Sequence, residues 1–196
     1  MVKSSPADPD GRGSVGGMRS HRFGTGILAL TLALGAAGAS RLHADDAIKP
    51  VKGILPTGLG EAIDQDVARA RAATARYRNV ESAIAAGYPA TAHCVENQPE
   101  GAMGLHFQND KLMDTTLDVE KPEVLVYEKM GDGSIRLNGV EYLVPIAQWT
   151  SEEPPTLMGQ PLKRANGLGV WYLHAWIWKP SKSGLFANWN PDVKCR

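Results

Sequence analysis

Cysteine is nearly absent from this chain of 196 residues: there are two, Cys94 and Cys195. Two isolated cysteines lack the paired spacing of a zinc site, so a thiolate metal centre is disfavoured. No glycine-rich loop stands between a strand and a helix, which argues against nucleotide binding. Ser134, Ser151, Ser181 and Ser183 sit in turn-like contexts without a nucleophile elbow, which disfavours a hydrolase triad. Net charge is absent too, with 21 basic and 21 acidic residues, and no Lys/Arg cluster exists to release counterions from phosphate. Nucleic acid is therefore not an expected partner. There is no internal repeat, and no apolar run reaches the ~20 residues that span a bilayer.

The nearest approach to such a run lies near the start. Residues 1–17, MVKSSPADPDGRGSVGG, are Gly, Pro, Ser and charges without apolar periodicity. They read as a disordered leader, or as residues ahead of a true start at Met18. Residues 18–44 then have the layout of a signal peptide. Arg19 and Arg22 are its positive end, an apolar core runs over 26–39, and small residues precede Asp45 and Asp46. Cleavage is expected after Ala39 or Ala44. A retained anchor is the competing reading, weakened by the short, Gly- and Thr-diluted core. Removing residues 1–44 leaves 16 basic and 19 acidic residues, a net charge of −3, and no transmembrane span. The expected location is secreted or periplasmic, an oxidising compartment in which an even cysteine count reads as a disulfide, Cys94 to Cys195.

Residues 45–60 are an extended lead-in broken by Pro50, Gly53, Pro56 and Gly58. From 61, Ile63, Val67, Ala70, Ala73 and Tyr77 recur at helical spacing, with acids early and arginines late along the segment. Asn79 is placed to cap a second helix over 80–86, with Gly87 and Pro89 behind it, and a single kinked helix through Asn79 is equally permitted. The period then changes to two. Met103, Leu105 and Phe107 alternate with Gly104, His106 and Gln108. Runs over 123–130 and 134–146 flank Gly131-Asp132-Gly133, a hairpin signal. A last strand is expected over 170–178, apolar on both faces. The expectation is a single α+β domain over 61–196: N-terminal helices packed on an antiparallel sheet of at least four strands, open to curling into a partial barrel.

The segments CVENQPEGAMGLHFQN, PEVLVYEKMGDGSIRLNGVEYLVPIAQW and LHAWIWKPSKSGLFANWNPDVKC resemble a family of exported bacterial proteins without an assigned activity. The resemblance covers roughly residues 60–196, and its most specific parts are GLHFQN, VEYLVP and LFANWNP taken together. It implies a secreted or periplasmic single domain. It brings no chemistry.

Chemistry has to come from the residues. Histidine is scarce after residue 44: His93, His106 and His174. His106 and His174 stand inside strands, where two ring nitrogens each need a partner. Either they are core residues bonded to backbone carbonyls or to Tyr127, Tyr142 or Tyr172, or they share a site. A two-residue turn at Asp132-Gly133 would pair Glu128 with Leu137 and Val124 with Glu141, and would point both glutamates to one face. Glu141 beside two strand histidines is the 2-His-1-carboxylate pattern, which takes a divalent transition metal. The expected metal ligands are thus His106, His174 and Glu141. The expected ligand-binding residues are His106, Gln108, Tyr142 and Trp176, since Trp171, Trp176, Trp178 and Trp189 are able to line a groove but more often form core. His106, Gln108 and Asp110 are a further polar cluster. Two functions follow: binding of a small molecule or metal ion, with or without catalysis, or a non-catalytic envelope or interaction module with structural histidines.

If residues 18–44 are a cleaved signal, N-terminal sequencing of the exported protein will begin at Ser40 or Asp45. A mature chain still carrying Met1 would refute the cleavage.

Overall fold

Apolar spacing of three and four produces helix α1 (Glu61–Thr74), which buries Val67, Ala70 and Thr74. A 3-10 turn, Ala75–Arg78, follows and buries Tyr77. The Asn79 side chain then accepts from the Glu81 amide at 3.0 Å and starts α2 (Val80–Ala85). The computed structural model describes residues 56–195; the leader, the signal segment and most of the lead-in lie outside the described residues.

Eight strands follow: β1 (Cys94–Asn97), β2 (Gly101–Gln108), β3 (Val124–Lys129), β4 (Ile135–Pro145), β5 (Thr156–Leu157), β6 (Gln160–Pro161), β7 (Lys163–Ala165) and β8 (Val170–Ala175). Six of them form one antiparallel sheet in the order β1-β2-β3-β4-β8-β7, and β5 pairs with β6 separately. The sheet curls into a half-barrel, so the fold is α+β with a modest helical share.

One sheet face packs on the helices. Leu105, Phe107, Leu125, Tyr127, Val140 and Tyr142 join Val67, Ala70 and Tyr77 in the main core. Three buried tyrosines tie the sheet, the helical segment and the loop before β3 together through their hydroxyls. Tyr127 donates to the Tyr77 carbonyl, Tyr88 to that of Pro122 and Tyr142 to that of Val119, at 2.7, 2.7 and 2.8 Å. The other face carries a smaller apolar group, Val124, Val126 and Leu143, beside the polar side chains considered below.

Three local expectations are corrected. The β3–β4 turn has three residues, not two: Met130 donates to the Ser134 carbonyl, and Gly133 adopts φ +84°. Glu128 consequently faces Arg136 rather than Leu137. The register then shifts at Asn138, which restores Val124 opposite Glu141. Second, Met103 does not join Leu105 and Phe107. A register shift beside Gly104, whose φ is +113°, breaks the alternation, and a Cβ there would lie 2.3 Å from the Tyr127 carbonyl oxygen. Third, the last strand stops at Ala175 instead of 178. The Trp176 amide donates to the Leu185 carbonyl, and those of Trp178 and Lys179 turn to the Asn138 carbonyl, so the ladder ends there.

The C-terminal segment returns across the sheet. Asn190 bridges to Ala102, Val193 packs with Trp176, and Lys179 pairs with Glu128 at 2.6 Å. The Cys94–Cys195 disulfide closes it, with Cα atoms 5.6 Å apart across a sequence separation of 101. A loop of that length is worth about 4–5 kcal/mol in the chain-entropy account.

Phe107 has no exposed surface and stacks on Tyr127 at 4.6 Å between ring centroids. Phe107→Ala is expected to cost about 3–5 kcal/mol, measured by urea denaturation. A loss under 1 kcal/mol would contradict this burial.

Candidate ligand and metal site

The face away from the helices is hollow. A cavity of about 550 Å³ opens there, of a size that suits a small molecule. Val95, Met103, Met113, Val124, Leu143 and Val170 give it apolar walls. The polar lining is His106, Gln108 and Glu141, with Tyr172 and the indole of Trp189 from the returning segment.

Register explains how these side chains meet. Glu141 stands opposite Val124 on one side and His174 on the other, whereas His106 stands opposite Val126, two residues further along β3. From β2 to β8 is three strand spacings, roughly 14 Å across a flat sheet. Yet the His106 and His174 rings are 6.1 Å apart between centroids, inclined at 70°. The curl of the half-barrel leans them toward one another above the residues between. His106 Nε2 lies 3.7 Å from Glu141 Oε2, too long for a direct hydrogen bond and short enough for one atom to bridge.

Three of the four histidine nitrogens are buried without a protein partner. Both nitrogens of the fully buried His174 are unpaired, as is Nδ1 of His106. The tyrosines named as alternative partners are engaged elsewhere. Tyr127 bonds the Tyr77 carbonyl and Tyr142 that of Val119 in the loop before β3, and the Tyr172 hydroxyl accepts from Asn188 Nδ2 at 2.9 Å. His174 stacks instead on Trp176, 4.6 Å between centroids.

Burial sets the charge state. It pushes the Glu141 carboxyl from its ordinary 4.5 to about 7, with a further push from Glu123. It drives His174 from 6.5 down to about 3, assisted by His106 and Lys163. His106 is also lowered by burial, with the nearby Gly104 backbone opposing. Glu123, which sequence reasoning did not nominate, is buried, accepts from the Leu143 amide at 2.9 Å and is itself raised to about 7. Its only signal was a glutamate at the first position of an apolar run.

Of the expected ligand-binding residues, His106 and Gln108 line the cavity, with Gln108 donating to Asp110 at 2.7 Å. Tyr142 and Trp176 do not. Strand alternation sends Tyr142 to the helix face, and Trp176 lies beneath the returning segment, its Nε1 donating to the Ala187 carbonyl at 2.7 Å. Glu128 is occupied by Lys179, Asn138 and the Lys194 amide, away from the histidines. Among the described residues no three His, Cys, Asp or Glu side chains are already gathered as a metal-holding group, so His106, His174 and Glu141 are neighbours rather than a closed triad.

Searches of family models, curated proteins and solved structures find no match to this chain.

Unfolding frees Glu141 to ionise near 4.5, so between pH 4.5 and 7 the unfolded chain has lost a proton that the native state keeps. Stability falls as pH rises through that window. His174 works oppositely: the unfolded chain gains a proton below 6.5 that the native state refuses until about 3, so stability falls as pH drops. In metal-free protein, Glu141→Gln is expected to remove about 3 kcal/mol of the loss between pH 4.5 and 7, read from urea midpoints. An unchanged pH profile would mean that the carboxyl is hydrated.

Proposed function

We infer that this is an exported binding domain that takes a small, largely apolar molecule into the half-barrel cavity and holds its polar end at His106 and Glu141. One observation carries the reading: an imidazole and a carboxyl, 3.7 Å apart, lie within largely apolar walls, and Nδ1 of that imidazole has no hydrogen-bond partner. Buried polar groups without partners are costly, and a ligand that satisfies them recovers that cost on binding. A module whose histidines were purely structural would bond their nitrogens internally, and these are not so bonded. Export accords with the signal-like segment, with the resemblance to exported bacterial proteins, and with the intramolecular disulfide. None of the candidate side chains is assigned a catalytic step.

The test uses N-phenyl-1-naphthylamine, a neutral aromatic fluorophore, added to the mature protein without metal. Saturable fluorescence enhancement is expected, weakened at least about tenfold by Leu143→Trp, which fills the cavity, and unchanged by Leu59→Trp on the exposed lead-in. Absent enhancement, or equal loss in both variants, would reject the cavity as a binding site.

A further inference from the structure

We propose that His106, His174 and Glu141 close around one divalent transition-metal ion at the inner end of the cavity, with at least one coordination position facing the cavity. The proposal deepens the binding reading above and rests on it for the role of the cavity-facing position. His106 on β2 and Glu141 on β4 line the cavity, and His174 on β8, buried behind that lining, stands opposite Glu141 with its ring 6.1 Å from that of His106. His174 has no exposed surface and neither of its nitrogens has a protein partner. Such a group calls for an unseen water or ion. No lysine or arginine lines the cavity, so no side-chain cation there competes with a bound ion for Glu141.

Spacing separates a metal from an organic ammonium, the other cation with three-fold valence toward these groups. Two ligands of one tetrahedral ion at 2.0–2.1 Å are about 3.4 Å apart. Two acceptors of one ammonium, each at hydrogen-bond distance, are about 4.7 Å apart. The observed 3.7 Å between His106 Nε2 and Glu141 Oε2 is nearer the metal spacing than the ammonium spacing. The rings have further to go: two imidazoles on a tetrahedral ion have centroids about 5 Å apart, so the observed 6.1 Å closes by about 1 Å on binding. His106, whose side chain is 22% exposed, is the member free to move, against the fixed His174. Two nitrogens and one oxygen with an open position suit Zn²⁺, Co²⁺, Fe²⁺ or Mn²⁺.

The experiment uses mature, disulfide-intact protein without a histidine tag, stripped by chelator and titrated with Co²⁺ and with Zn²⁺. The expected result is one ion per chain, with visible Co²⁺ absorption of a four- or five-coordinate site. His106→Asn, His174→Asn and Glu141→Gln should each weaken Zn²⁺ binding at least about a hundredfold. The exposed His93, changed to Ala, should leave it unaltered. His106→Asn keeps the test decisive if His174→Asn fails to fold, because His106 is partly exposed; folding is checked by circular dichroism. No binding, binding that survives His106→Asn in folded protein, or binding lost with His93→Ala would overturn the metal centre. Fluorophore binding by the metal-free protein reports separately on the cavity, so failure here and failure of the ligand reading are distinguishable.

Discussion

A hairpin register governs everything else in this molecule. With Val124 opposite Glu141 and Glu141 opposite His174, the carboxyl points into the cavity and Tyr142 points to the helices. A slip of one residue would exchange them, placing a carboxylate in the main core and a phenol in the cavity. Two irregularities hold this pairing together. The three-residue turn closed by Gly133 starts β4 one step out, and the extra residue at Asn138 puts it back. Asn138 is fully buried, donates to Glu128 and receives two amides through its backbone carbonyl, so the irregular position is held by three hydrogen bonds.

Much of this architecture was legible in the sequence because period and punctuation are local. The helical spacing of Val67, Ala70 and Tyr77, the Asn79 cap, the alternation at Leu105 and Phe107 and the glycines of the hairpin each act over a few residues. The Cys94–Cys195 bond was legible for another reason, since two cysteines allow one pairing. What escaped reading was the placing of extra residues. Nothing local distinguishes Gly104 as a break in alternation, because its positive φ is imposed by the close Tyr127 carbonyl of the neighbouring strand. The same holds for the end of β8, where amides choose between a strand partner and the Leu185 and Asn138 carbonyls.

The candidate site was half legible. That His106, His174 and Glu141 share a face follows from strand parity; His106 and Glu141 line the hollow, whereas His174 is buried beside them outside its lining. How closely they approach depends on sheet curl, which alternation does not encode. Tyr142 and Trp176 lie outside the cavity lining for different reasons. The first is a matter of face, and the second of a strand that ended one residue before it. Trp189, by contrast, reaches the cavity only because the chain returns across the sheet. The buried glutamates at 123 and 141 illustrate how burial, rather than neighbouring charge, sets ionisation on this face: desolvation is the leading cause for both.

The disulfide has a bearing on timing. Cys195 lies six positions beyond Trp189, so the covalent tie that anchors the C-terminal segment also anchors one wall of the cavity. While both cysteines are reduced, that wall is held by non-covalent contacts alone: the Asn190 bridge, the Val193–Trp176 packing and the Lys179–Glu128 pair. Oxidation of the pair would then lock the wall and the fold in a single event, so the shape of the hollow is tied to the redox state of two cysteines outside its lining.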